Sequence, residues 1–228
     1  MTTLYHPTPL MEPDVALTDY GLTIECAVLA ILLYKQARRG NAMRFWFVTL
    51  FAALGFGACL GGTEHGFIDD KTSRLHGLVW SATLISIGVA AVAAWAIGAR
   101  LLFSGRVVRC ITSAAVILFG IYSAIVLWRI RDFWIAIVHY LPASVFLLTA
   151  FLIDYRRSLS RYLGAGVAGL GLTFVAATVQ QAGIGLHPIY FNQNALYHLI
   201  QALGFLLIYC CARGLIAAQL GKKHVNAS

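Results

Sequence analysis

The sequence predicts an all-α integral membrane protein, a bundle of seven transmembrane helices, on three observations. Hydrophobic residues fill 60% of the 228 positions and charged residues only 11%. The apolar residues come in runs of about twenty, the length that crosses roughly 30 Å of hydrocarbon as a helix. Lys and Arg sit between the runs and are shared unequally between alternate connections, the asymmetry that orients a membrane protein. A net charge of +8 placed in this way serves topology, and no nucleic-acid partner is expected.

The whole chain, 1–228, reads as one membrane domain. Residues 1–17 carry Glu12 and Asp14 but no Lys or Arg. Without the basic start and cleavage site of a signal peptide, they are expected to stay on the mature chain. Helix 1 is expected over 18–34, with Thr18 or Asp19 as its N-cap and the basic loop KQARRGNAMR after it. Glu25 lies about two turns inside it, either as a snorkelling or hydrogen-bonded structural group or as a functional acid or ion ligand.

Helix 2, over 45–67, ends in GACLGGTEHGF, whose small residues permit close backbone approach just before Glu64 and His65. Helix 3, over 75–102, carries His76 in its first turn, and helix 4, over 107–128, is apolar enough to serve as scaffold. Helix 5, over 133–153, has His139 two turns in. Pro142 follows, freeing a carbonyl and bending the helix near that histidine. Helix 6, over 162–182, opens with the small-residue face GAGVAGLG and closes with Gln180 and Gln181. Helix 7, over 192–218, sets Asn194, His198 and Gln201 at i, i+4 and i+7, one polar stripe in an apolar segment. The five cysteines all fall in apolar runs without a C-x-x-C pair and read as small core residues.

An odd number of helices puts the termini on opposite sides. Of the 17 Lys and Arg residues, only Lys71, Arg74, Arg129 and Arg131 fall on one side, so the N-terminus is expected outside and the C-terminus in the cytoplasm. The membrane is then a plasma or inner membrane. This topology brings His65, His76, His139 and His198 to a similar depth in the outer half, with Glu25, Glu64, Gln180, Gln181 and Asn194, and leaves His224 on the other side. A single buried imidazole reads as a structural group. Four at one depth point to a shared polar site, because each buried alone would need its own partner. Imidazole is also the commonest metal ligand, and three such nitrogens with an open fourth position suit a catalytic zinc.

Seven helices with an outside N-terminus, a histidine closing helix 2, a polar position early in helix 3 and Asn194-Ala195-Leu196-Tyr197-His198 on helix 7 resemble the CREST superfamily, which includes alkaline ceramidases and the progestin and adipoQ receptors. The resemblance implies a zinc held by three histidines, with a nearby Ser and Asp assisting amide hydrolysis. Gly61 stands where the family has its serine, His76 is nearest to the family aspartate, and Asn194 replaces the first histidine of helix 7. On this reading the metal ligands are His65, His76 and His198, with Asn194 or a water completing the site. Glu64 or Glu25 is then the general base acting on the bound water. Glu64 is equally readable as a rim carboxylate paired with Lys71 or Arg74.

Three functions follow as expectations. A zinc-dependent hydrolase would act on a lipid amide or ester, its polar head met by Gln180, Gln181, Tyr197 or Gln201. A haem b electron carrier would use two of His65, His76, His139 and His198 as axial ligands. A non-enzymatic subunit would dock to membrane-complex partners through its glycine-rich faces or bind a lipid or pigment.

Overall fold

The computed structural model describes residues 10–36, 41–128, 131–187 and 190–225, with 219–225 described by backbone alone. Arg38, Arg39 and Arg129 of the topology argument lie outside the described residues, as do the side chains of Lys222, Lys223 and His224. The chain forms α1 (Pro13–Gln36), α2 (Ala42–Phe67), α3 (Arg74–Leu102), α4 (Gly105–Leu127), α5 (Phe133–Ser158), α6 (Arg161–Gln181) and α7 (Gln193–Val225). All seven are long and apolar enough to cross a membrane. The shortest, α6, has 21 residues, roughly 31 Å at 1.5 Å per residue. The protein is an all-α, multi-pass membrane protein.

The observed start of α1 differs from the expected one. Pro13 occupies the first helical position, where its missing N–H costs nothing, and the Glu12 carbonyl accepts from Ala16 N at 2.9 Å. The helix therefore begins five residues before Thr18, and Thr18 and Asp19 lie inside it rather than at its cap. α5 runs unbroken through Pro142 and continues past 153 to Ser158. There Leu159, in the left-handed region at φ 50°, ends it.

Six helices close a ring in the order α1, α2, α3, α5, α6, α7 and back to α1, while α4 packs outside against α3. Accordingly 72% of the apolar window of α3 is buried against 17% for α4. Lipid is as apolar as a leucine side chain, so close packing rather than water exclusion must hold this ring together. Glycine makes that packing possible. A Cβ on Gly169 of α6 would stand 2.7 Å from the Gly204 carbonyl of α7, and one on Gly55 of α2 would stand 2.8 Å from Cys26 Cβ of α1. Phe47, Phe51, Ile97, Leu147, Phe151 and Phe205 fill the space between the helices.

Candidate functional site

The candidate site lies at the end of the bundle where α1, α3, α5 and α7 begin and α2 and α6 finish. Its backbone is closely specified. Met11 N and Glu12 N donate to the Gly66 and His65 carbonyls, capping the end of α2 with the entry to α1. Gly183, at φ +68°, ends α6. Its N–H bonds the Gln180 carbonyl while Ile184 N bonds the Val179 carbonyl, the paired pattern of a left-handed helix stop. Asn192 caps α7, its Oδ1 accepting from Asn194 N at 2.8 Å and Ala195 N at 3.1 Å. Asp14 Oδ2 accepts from Asn192 N at 2.9 Å, tying the first turn of α1 to the start of α7.

Between these ends lies a cavity of about 260 Å³, lined from α1, α2, α3, α5, α6 and α7. Its polar wall holds Asp19, His65, Gln180, Asn194, Tyr197, His198 and Gln201, and Trp80, Phe133 and Phe205 supply aromatic surface. At its centre is a three-residue chain. Asp19 Oδ1 lies 3.3 Å from His198 Nε2, and His198 Nδ1 lies 3.0 Å from Thr18 Oγ1. The Thr18 hydroxyl is also 2.9 Å from the Asp14 carbonyl and 3.0 Å from that of Val15. Asp19 is 5% exposed and His198 9%.

Two glycines make room for the carboxyl group: a Cβ on Gly61 would stand 3.2 Å from Asp19 Oδ2, and one on Gly62 would stand 3.0 Å from Asp19 Cβ. Oδ2 thus lies beside Gly61 on the cavity wall and has no hydrogen bond among the described residues.

The hydrogen-bond chemistry of this chain admits two arrangements. In one, Thr18 donates to Nδ1 and Nε2 carries the ring proton, facing Asp19 Oδ1 at 3.3 Å as an ion-pair contact without the alignment of a hydrogen bond. In the other, Nδ1–H donates to Thr18, whose own proton turns to the helix carbonyls, and an additional proton sits between Nε2 and Oδ1. The two differ by one proton and need no heavy atom to move.

Around it, Gln180 Nε2 donates to Asn194 Oδ1 at 3.0 Å and Gln201 Nε2 to the Tyr197 hydroxyl at 2.8 Å, so both amides are oriented by partners. His65 Nδ1 comes within 3.2 Å of Glu12 Oε2, though without the alignment of a hydrogen bond. Of the residues singled out from the sequence, Gly61, His65, Gln180, Asn194, Tyr197, His198 and Gln201 therefore share one cavity.

The others lie apart. Glu64 is 3% exposed, and its Oε1 takes Lys71 Nζ at 2.9 Å and His76 Nδ1 at 2.6 Å. The pair with Lys71 is the one formed, and this cluster clamps the α2–α3 hairpin. Oε1 of Glu64 is thereby committed, as is Nδ1 of His76. In the exposed turn beside them, the Thr72 hydroxyl and amide hold the Asp70 carboxyl below the usual carboxylate range. Glu25 lies deeper on α1 with Oε1 buried and unpartnered. His139 stacks on Tyr122 at 4.3 Å on the α4 side of the bundle.

Of the expected zinc ligands, His65 and His198 line this cavity, and His76 pairs with Glu64 at the α2–α3 hairpin. Among the described residues no three His, Cys, Asp or Glu side chains form a ligand set. The donors that do line the cavity are two imidazoles and the Asp19 carboxyl. For haem, only His65 and His198 of the four histidines share a cavity wall among the described residues.

Thr18 and Asp19, expected as candidates for the N-cap of α1, lie inside that helix and against His198. The signal was Pro13-Asp14, a first-position proline followed by a first-turn acid. That start puts Asp19 more than one turn inside the helix, level with His198.

No curated protein and no solved structure matches the chain. A family model does match, over residues 15–217, a stretch that takes in every wall of the cavity. The chain belongs to that family, a family of unknown function designated DUF6962.

Proposed function

We propose that this is a membrane-embedded hydrolase of lipid amide or ester linkages, with its site at the outer end of the bundle and Asp19 and His198 as its proton-transfer pair. The observation that carries the reading is the Asp19–His198–Thr18 chain in the wall of a polar cavity, with Asp19 Oδ2 beside Gly61 and without a hydrogen bond among the described residues. Asp19 takes the proton of the water through Oδ2 as the water oxygen adds to the acyl carbon. It returns that proton to the amine or alkoxide that leaves when the C–N or C–O bond breaks. His198 Nε2 stands at Oδ1, and Thr18 Oγ1 holds His198 Nδ1. Asn194, Gln180, Tyr197 and Gln201 supply amide and hydroxyl partners for a polar head. A volume of about 260 Å³ takes a head group and its first carbons rather than a whole lipid. The acyl chains would then extend along apolar walls.

The proton chemistry is assigned to this chain's own residues, and the zinc expected from the CREST-like resemblance contributes no step to it. The outer position rests on the Lys and Arg asymmetry, with the C-terminus in the cytoplasm of a plasma or inner membrane. The test is a screen of lipid amides and esters in mixed micelles, with released fatty acid read by mass spectrometry and zinc content measured on the same sample. Wild-type protein is expected to release fatty acid from at least one class, and Asp19→Asn to lower the rate about 100-fold or more. An unchanged rate in Asp19→Asn would remove Asp19 from the chemistry. Stoichiometric zinc lost in His65→Ala would restore the metal reading.

A further inference from the structure

Arg131, in the loop between α4 and α5, stands at the lip of the cavity that holds Asp19. Its carbonyl accepts from Trp80 Nε1 at 2.6 Å, and the Trp80 and Phe133 rings pack with centroids 6.1 Å apart. Both rings line the cavity. Phe133 is also 37% exposed, so the wall beside Arg131 meets lipid on its other face. The guanidinium turns back onto α3. A Cβ on Gly77 would stand 2.5 Å from Nη1 and 3.4 Å from Cζ, so the glycine is the seat of the group. The ion pairs among the described residues use Lys71 and three histidines but not Arg131. Its Nε is buried without a hydrogen bond, while Nη1 and Nη2 are accessible and have no hydrogen bond among the described residues.

A fixed guanidinium with its terminal N–H groups idle is a fork for an anion, and its planar geometry matches phosphate oxygens two at a time. Depth names the phosphate's source. α3 has 29 residues, roughly 44 Å, about 14 Å more than the hydrocarbon core. With that overhang shared between its ends, Gly77 in the first turn lies about 2 Å above the hydrocarbon edge, in the layer of lipid phosphates. Charge points the same way. The exposed Asp69, Asp70 and Asp132 stand at this end of the bundle and repel a dissolved anion, whereas a lipid is delivered by its tails. The amides and hydroxyl of the cavity, on Gln180, Asn194, Tyr197 and Gln201, are neutral, so the positive charge for such a head comes from Arg131.

We propose that Arg131 holds the phosphate of a phospholipid whose acyl linkage enters the cavity towards Asp19, which makes phosphate-bearing lipids the substrate class of the hydrolase. The turnover of that lipid rests on the hydrolase reading; its binding at Arg131 does not.

The test is a titration in neutral detergent, with the lipid-bound fraction read by native mass spectrometry. The probes are an ether-linked phosphatidylglycerol, which has no ester to lose, and the dialkylglycerol with the same chains. The wild type is expected to bind the phospholipid saturably and the dialkylglycerol at least about tenfold more weakly. Arg131→Gln keeps the backbone bond to Trp80 and should raise the half-saturation concentration for the phospholipid about tenfold to a hundredfold, the worth of charge-assisted hydrogen bonds. Arg131→Lys should raise it less, and neither should move the dialkylglycerol. Gly77→Ala keeps the charge but pushes the guanidinium off its seat, and should weaken phospholipid binding too, which serves if Arg131→Gln fails to fold. Equal half-saturation for the two lipids in the wild type would overturn the proposal. So would phospholipid binding that is unchanged in the folded variants, or that inorganic phosphate displaces at the lipid's own concentration. Fatty-acid release from ester-linked lipids separates the two readings. Arg131-dependent binding without release would count against the hydrolase alone, whereas release from diacylglycerol as fast as from phosphatidylglycerol would overturn the substrate class and leave Asp19 its role.

Discussion

Removing either member of the Asp19–His198 pair should cost much more stability than removing the second after the first. The two groups are nearly fully buried and 3.3 Å apart. At that separation and an effective dielectric near 20, the gross attraction of a charged pair is about 4–5 kcal/mol. Desolvation and the cavity's access to water offset part of it. Residues in contact within one network couple by about 0.5–3 kcal/mol. Asp19→Ala strands the imidazole and His198→Ala strands a buried carboxyl, so each single change should cost about 3 kcal/mol or more. The double variant should then cost about 2 kcal/mol less than the sum of the singles. Equilibrium unfolding in dodecyl sulfate mixed micelles, followed by far-ultraviolet circular dichroism, measures all four corners of the cycle. Additivity within about 0.5 kcal/mol would show that the two residues do not interact and would refute the reasoning.

Gly62→Ala should destabilise by about 1–3 kcal/mol in the same assay, because its methyl meets Asp19 Cβ at 3.0 Å and the Ala16 carbonyl at 3.2 Å, both anchored by backbone. Gly169→Ala should cost a similar amount, while Gly120→Ala, with nothing within 4 Å, should be neutral or stabilising by up to about 1 kcal/mol. Glu64→Gln should lower the melting temperature by loosening the α2–α3 hairpin, through loss of about 1.5–3 kcal/mol, and leave lipid hydrolysis intact. A cysteine placed at Asp70 should react with a membrane-impermeant maleimide on whole cells and one at Ser104 should not; the reverse pattern would invert the orientation.

Helix number and approximate span were legible in the sequence because apolar runs of membrane-crossing length are separated by short charged loops. Ends were less so, since interfacial residues such as Asp154 to Ser158 can extend a helix beyond its apolar stretch. The stripe of Asn194, His198 and Gln201 was legible from helical spacing, and all three do line one cavity. What the stripe faces was not legible, because lateral neighbours depend on which helices are adjacent. That order placed Asp19 opposite His198 and turned His139 towards Tyr122 and α4. His76 shares the depth expected of it, yet Glu64 holds it at the hairpin; depth alone cannot distinguish a wall of the cavity from its rim.

The central claim is that His198 is held between Asp19 and Thr18 in a chain that carries a proton. Nitrogen-15 NMR of histidine-labelled protein in nanodiscs reads it most directly. The account expects Asp19→Asn to shift chiefly the His198 Nε2 resonance and Thr18→Val chiefly Nδ1, with His76 unmoved by either. A His198 signal indifferent to both substitutions would contradict it.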